Sequence, residues 1–277
     1  MPTSQRTLSP KVIVQAVTGI FAGSPLHAKQ ILSVAYATVG AVFTHRAGVA
    51  HLGTAMATTR GTEVKHGIKQ IDRLLSNRKI DDEAAMAAYV RFVLGARRRV
   101  VASLDWTEYA AYGHHRIALS LVTRHGRGTP LVWKTVTDAE LTGRRNEHED
   151  TLLALFARVL PDPAEEIIIL ADRGFGDIAR YEQLLQGCGF HFIIRFRGCI
   201  RVEDRNGVAA PAKHWLRPDG RAYAIPDARV TRSRYSVARV VAVQRRRMKD
   251  AWFLASSLPW SAAELIAWYS RRFTIEE

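Results

Sequence analysis

Hydrophobic and polar positions follow three different rhythms along this chain, and the places where the rhythm changes divide it. From Lys11 to about Gly95 the spacing is helical. Val12, Ala16 and Gly19-Ile20 open one amphipathic segment, and Ile31 to Val42 forms a second that is apolar almost all round. Glu63 to Ser76 is the clearest. There Val64, Ile68, Ile71, Leu74 and Leu75 recur at helical intervals, with Lys65, Lys69, Gln70 and Arg73 between them. Asn77 suits its end. Asp81 or Asp82 suits the cap of the next helix, which runs through Met86, Tyr89, Val90 and Val93. Arg97-Arg98-Arg99 follows as a basic link.

At Val100 the pattern shortens. Val100 to Asp105, His115 to Thr123 and Pro130 to Thr137 read as strands, separated by turns at Gly113 and at Gly126 to Gly128. Asn146 to Val159 returns to helical spacing until Pro161 and Pro163 stop it. Ile167 to Ala171 is uniformly apolar, as a parallel strand covered on both faces should be. Ile178 to Leu185 reads as a helix and Phe190 to Phe196 as a strand. Three strands, a helix, a strand, a helix and a strand is the element order of a ribonuclease H-like domain, so the predicted class is α/β. From Arg195 to Lys249 turn residues and β-branched runs such as Val237 to Val243 predict a β-rich insertion, at about 197–250. Trp252 to Ser256 is a last strand. Ser261 then caps a helix carrying Leu265, Ile266, Trp268, Tyr269 and Phe273. Two regions follow: a helical one over 1–97 and an α/β one over 98–277.

Composition sharpens this picture in two ways. Lys and Arg total 40 against 26 Asp and Glu, a net charge of +14, which points to a polyanionic partner, nucleic acid first and an anionic membrane surface second. The stretch from Arg195 to Lys249 holds 15 of the basic and 4 of the acidic residues, so most of the excess sits there. Cys188 and Cys199 make neither a disulfide framework nor a zinc site. The first thirty residues lack the pattern of a signal peptide. Ile31 to Phe43 falls short of the ~20 residues that span a bilayer. A cytoplasmic, nucleoid-associated protein is the expectation.

Three carboxylates carry the candidate chemistry. Asp105 and Asp172 each close a buried apolar run, and each alone reads equally well as a turn or cap residue. Together they say more. Neighbouring parallel strands bring such residues side by side in the crevice where α/β sheets bind ligands. Two adjacent carboxylates repel, and the pairing asks for a cation. Oxygen ligands without Cys or His favour Mg²⁺ or Mn²⁺. Glu276, supplied by a later helix, is the third member of a cage for two ions, which is the apparatus for cutting and rejoining phosphodiester bonds. Tyr269, Arg272 and Glu276 share one helix face by spacing, although an Arg272–Glu276 surface pair worth ~0.3–0.5 kcal/mol explains that spacing too. Asp177 reads as a helix cap. Glu108, Asp138, Glu140, Glu147 and Asp150 read as solvated. His114 and His115 point to opposite faces of a strand and do not share an ion.

These residues, in this order, resemble the DDE transposases of bacterial insertion sequences, in the group with the Y-x2-R-x3-E-x6-K signature (insertion-sequence family four). Tyr269, Arg272 and Glu276 stand where the signature's Y, R and E stand. Leu104-Asp105-Trp106-Thr107 looks like the first-acid motif and Ala171-Asp172-Arg173-Gly174-Phe175 like the second. Asn146 and Glu149 fall in a helix similar to the family's segment between them. Gaps of 67 and 104 residues separate the three acids, the longer one holding the insertion. The signature's Lys would fall seven residues after Glu276, past Glu277, so a truncated copy lacking a C-terminal domain is expected.

The resemblance implies cut-and-paste transposition. Asp105, Asp172 and Glu276 would hold two Mg²⁺ or Mn²⁺ ions. A water would nick the transposon end, and the freed 3′-hydroxyl would attack the opposite strand to form a hairpin and later attack the target. The implied partners are double-stranded DNA, as terminal inverted repeats and target, and a second copy of the chain in a homodimer. Tyr269 and Arg272 would contact the backbone near the cleaved end. Arg245, Arg246, Arg247 and Lys249 form a phosphate-binding candidate or a solvated basic turn. Trp252 serves either as a stacking platform for a flipped base or as core. Lys65, Lys69 and Arg73 lie on a helix that either binds the transposon end or belongs to a plain bundle. Two rival readings remain at this level: a ribonuclease H-type nuclease without strand transfer, and an end-binding protein without catalysis.

Overall fold

A computed structural model describes residues 8–123, 128–162, 164–246 and 248–275. The chain forms two compact units, Met1–Val93 and Leu94–Glu277. The first holds α1 (Pro10–Phe21), α2 (Ala28–Thr44), α3 (Val49–Arg60), α4 (Val64–Leu75) and most of α5 (Asp82–Leu94). Ser9 caps α1 by accepting from the Val12 amide, ahead of a proline at the first helical position. The apolar pattern does not single out α3, because two of its four buried positions, Gly53 and Ala57, are small and sit beside Leu52 and Met56. Gly53 and Ala57 let α4 come very close. A Cβ placed on Gly67 would lie 2.2 Å from the Gly53 carbonyl oxygen, and one on Gly53 would lie 2.4 Å from Ile68 Cα. On α4 the fully buried stripe is Gly67 and Ile71, narrower than the apolar pattern, with Val64 and Leu75 exposed at its ends.

The second unit contains β1 (Arg99–Tyr109), β2 (His114–Leu121), β3 (Thr129–Thr137), α6 (Asp138–Leu141), α7 (Arg145–Val159), β4 (Glu166–Ala171), α8 (Ile178–Glu182) and β5 (His191–Arg195). It continues with β6 (Arg201–Glu203), β7 (Ala209–Pro211), β8 (Tyr223–Val230), β9 (Tyr235–Val243), β10 (Trp252–Ser256) and α9 (Ala262–Ser270). These strands join one ten-stranded sheet in the order β3-β2-β1-β4-β5-β10-β9-β8-β6-β7. β1, β4 and β5 run parallel, and the other pairings are antiparallel. The β-rich segment therefore does not stand apart from the α/β core. β10 pairs with β5 on one side and β9 on the other, so the segment extends the same sheet.

Two local expectations are corrected. The strand through Asp105 does not stop there. β2 stays paired with β1 as far as Tyr109 opposite His114, while the parallel partner β4 ends with Ala171 opposite Leu104. Asp105 is thus mid-strand, at the level where its parallel neighbour runs out. The helix from Ile178 ends at Glu182 and passes into a π-turn, Gln183–Gly187.

α9 begins with a reciprocal cap between Ser261 and Glu264. Its Leu265, Ile266 and Tyr269 pack on Val101, Ile168, Leu170, Ile193, Leu254 and Val241 from five strands. Each such side chain contributes about 1.5–3 kcal/mol when fully buried. On β1, Trp106 has the opposite parity to Val101 and bonds to α7 instead, so α7 and α9 cover opposite faces of the sheet.

Candidate active site

Strand parity assembles the site. Val101, Ser103 and Asp105 share one face of β1, and Ile168, Leu170 and Asp172 share one face of β4 and its extension. Val101, Ile168 and Leu170 touch α9, so both carboxylates rise on the α9 side, at adjacent levels of the sheet. After α9 a 3-10 turn, Arg271–Ile275, carries Arg272 over them. Its Nη2 lies 3.2 Å from Asp105 Oδ1 and 3.9 Å from Asp172 Oδ2. Arg272 is only 5% exposed. Asp172 Oδ1 accepts from the Gly174 amide at 2.8 Å and so caps the turn that follows β4.

Burial raises the Asp105 carboxyl above its ordinary range. The Arg272 guanidinium opposes that shift and the Asp172 carboxylate adds to it. An acid held in this way gains most from a further cation. The donor set is all oxygen, so it fits a hard divalent ion such as Mg²⁺ or Mn²⁺. Among the described residues no cluster of three or more His, Cys, Asp or Glu is present. Glu276, the expected third acid, and Arg247 lie outside the described residues.

The other candidates scatter. The α-helix ends at Ser270, so Tyr269 and Arg272 both turn toward the sheet but not along one α-helical face. Tyr269 is completely buried, with Trp252 at 5.0 Å and Phe273 at 6.1 Å between ring centroids. The ring completes the apolar cluster beneath α9. Trp252 stacks on Phe273 at 5.5 Å and lines a 320 Å³ cavity with Arg245, which favours its packing role. Arg245, Arg246 and Lys249 are exposed on the turn between β9 and β10. Lys65 pairs with Glu63 at 2.7 Å. Lys69 and Arg73 line a 750 Å³ groove in the helical unit together with Lys29, Arg60 and Tyr36.

A buried network behind the acids is only partly marked in the sequence. Behind Asp105, the indole N–H of Trp106 donates to Glu149 Oε1 at 2.8 Å. Glu149 Oε2 pairs with Arg180 of α8 at 2.6 Å, with both side chains almost fully enclosed. Arg180 also donates to Asp150 and Gln183. A buried ion pair thus ties the strand of the first acid to the helix that follows the second. Glu149 lies in a helix that the resemblance marks, but Arg180 gives no signal, because an arginine in a short polar helix reads as solvated.

No curated protein matches the chain significantly. Residues 99–277, which hold the whole sheet, both aspartates and Arg272, match the family model described as Transposase DDE domain. DDE domains of this kind generally use divalent metals and act on DNA, chemistry that an oxygen-only pair of carboxylates on a basic protein suits, and the chain belongs to the DDE transposase family.

Proposed function

We propose that this chain is the transposase of a bacterial insertion sequence in the Y-x2-R-x3-E-x6-K group, and that it moves its element by cutting and rejoining DNA. The observation that carries the reading is the convergence of Asp105, Asp172 and Arg272 at one point of the sheet. The order β3-β2-β1-β4-β5, with the acids on β1 and just after β4, supports a ribonuclease H-like core.

Asp105 and Asp172, with Glu276 as the third acid, would hold two Mg²⁺ or Mn²⁺ ions. When bound, such ions activate an attacking oxygen and stabilise charge on the attacking and leaving oxygens of a phosphodiester exchange. Arg272 holds the two carboxylates together, and its planar fork suits a backbone phosphate beside them. The groove bearing Lys69 and Arg73 supports an end-binding role for the region 1–97, and exposed Arg245, Arg246 and Lys249 support a further backbone contact. Residues 98–277 would form the catalytic domain. The partners in this reading are terminal inverted repeats, target DNA and a second copy of the chain, in the cytoplasm at the nucleoid.

The test is Mg²⁺-dependent cleavage of a duplex bearing the terminal repeats of the element that encodes the chain. Asp105→Asn and Asp172→Asn should each lower the rate at least ~10³-fold, or about 4 kcal/mol of barrier. Unchanged cleavage by Asp172→Asn, or none by the wild-type chain on verified ends, overturns the reading.

A further inference from the structure

The face of β1 that carries Asp105 carries Arg99 six residues earlier, at the other end of the same row of side chains. That row spans ~20 Å at 3.3 Å per residue. At its start lies a cavity of about 380 Å³, lined by Arg97, Arg99, Val101, Trp268 and Arg271 among others. Three guanidiniums thus face one small space. Two of them are backed by indoles: Arg271 lies 4.3 Å over Trp268, and Arg99 lies 5.5 Å over Trp260. Arg99 also pairs with Glu166 of β4. Stacking on an indole fixes the plane of a guanidinium. Such a group loses less freedom when it binds an anion than an unsupported lysine would.

The cavity is tied to the acids through a single peptide. Arg271 and Arg272 are consecutive in the 3-10 turn after α9. One reaches Asp105 and the other faces the cavity. A polyanion lying across this turn would meet both.

We propose that this cavity seats a backbone phosphate of the DNA on which the acid pair acts, held by Arg97, Arg99 and Arg271. The assignment rests on the transposase reading and adds to it a contact point outside the acids and outside the signature positions.

The test is the salt dependence of binding to a mixed-sequence 30-base-pair duplex, read by fluorescence anisotropy without divalent metal. Removing one cation that neutralises a phosphate should reduce the slope of log affinity against log salt by ~0.9. Arg271→Gln should lower it by about that amount, and Arg99→Gln with Arg271→Gln by about twice as much. Arg271→Lys keeps the charge but loses the stack. It should retain the wild-type slope with several-fold weaker binding, and it keeps the test open if the glutamine variants fold poorly. Slopes equal to wild type in folded glutamine variants overturn the assignment. So does a thermal upshift by millimolar inorganic phosphate that needs Arg271 while the DNA slope does not, because the site would then serve a free anion. A wild-type chain with no salt-dependent DNA binding would instead defeat the underlying reading, and the cavity's role with it.

Discussion

Asp105 and Arg272, 167 residues apart, are joined by a 3.2 Å hydrogen bond on the α9 face of the sheet. The same guanidinium nitrogen lies 3.9 Å from Asp172. Before any metal binds, the acid pair already has a resident cation, and its proton affinity, its metal affinity and the stability of the domain are coupled through that contact.

The first consequence is a pH dependence with a definite sign. Asp105 has a folded-state pKa above its ordinary 3.8, chiefly because it is buried. The folded state therefore holds a proton that the unfolded state gives up. Stability falls as pH rises from 3.8 through the raised folded value, and the penalty persists above it. Thermal unfolding without metal should show Asp105→Asn at least as stable as wild type at pH 7, with the difference closing toward pH 4. Mg²⁺ should raise the midpoint of wild type and not that of the variant. A Mg²⁺ upshift retained by Asp105→Asn would show that the ion binds elsewhere.

Removing the resident cation should have the opposite effect. Arg272→Met leaves two carboxylates facing each other beneath α9. Loss of one member of a buried pair costs 3–5 kcal/mol, but both carboxylates here keep a third or more of their exposure, so about 1–3 kcal/mol is expected at pH 7. The loss should shrink as pH falls and Asp105 takes up its proton, so chemical denaturation should show a larger loss at neutral than at acidic pH. Equal losses would mean that Arg272 acts by packing alone.

The Glu149–Arg180 pair calls for a double replacement. Glu149→Met or Arg180→Met alone strands a buried charge and should cost about 3–5 kcal/mol. Both together should restore most of the stability. If the pair serves to hold the strand of Asp105 against the helix after Asp172, the restored double variant should still cleave DNA more slowly and need more Mg²⁺. Full activity with an unchanged Mg²⁺ requirement would reduce the pair to a structural filler.

In the helical unit, Gly67→Ala tests the close approach of α3 and α4. The new methyl would meet the Gly53 carbonyl oxygen at 2.2 Å, and neither backbone can yield without separating the helices. A cost of about 1–3 kcal/mol is expected. Hydrogen exchange should quicken in α3 and α4 and stay unchanged in the sheet. Uniform quickening would show that the two units unfold as one.

Much of this architecture was legible because apolar periodicity and caps are local signals. Ile167 to Ala171 announced β4, Ser261 announced α9, and the two strand-associated aspartates stand close together, both beside Arg272. What stayed hidden depends on distant partners. Asp105 looked like a strand end because the apolar run stops there, yet β2 holds the strand for four more residues. The full burial of Tyr269 could not be read from spacing, which gives a face but not what the face meets. Arg180 and the glycine contact between α3 and α4 left no periodic trace, since each is defined by what lies opposite in space.

The place of β10 in the sheet bears on how the protein is made. Residues 252–256 slot between β5, which ends at Arg195, and β9, which ends at Val243. As the chain leaves the ribosome, β5 has one open edge until β10 emerges more than fifty residues later. Pairings between segments so distant in sequence form slowly. The contacts that complete the acid pair come later still, because Arg272 follows β10 and α9. A nascent transposase thus carries both aspartates for much of its synthesis without the arginine that joins them, and the order of translation itself delays assembly of the site until the sheet has closed.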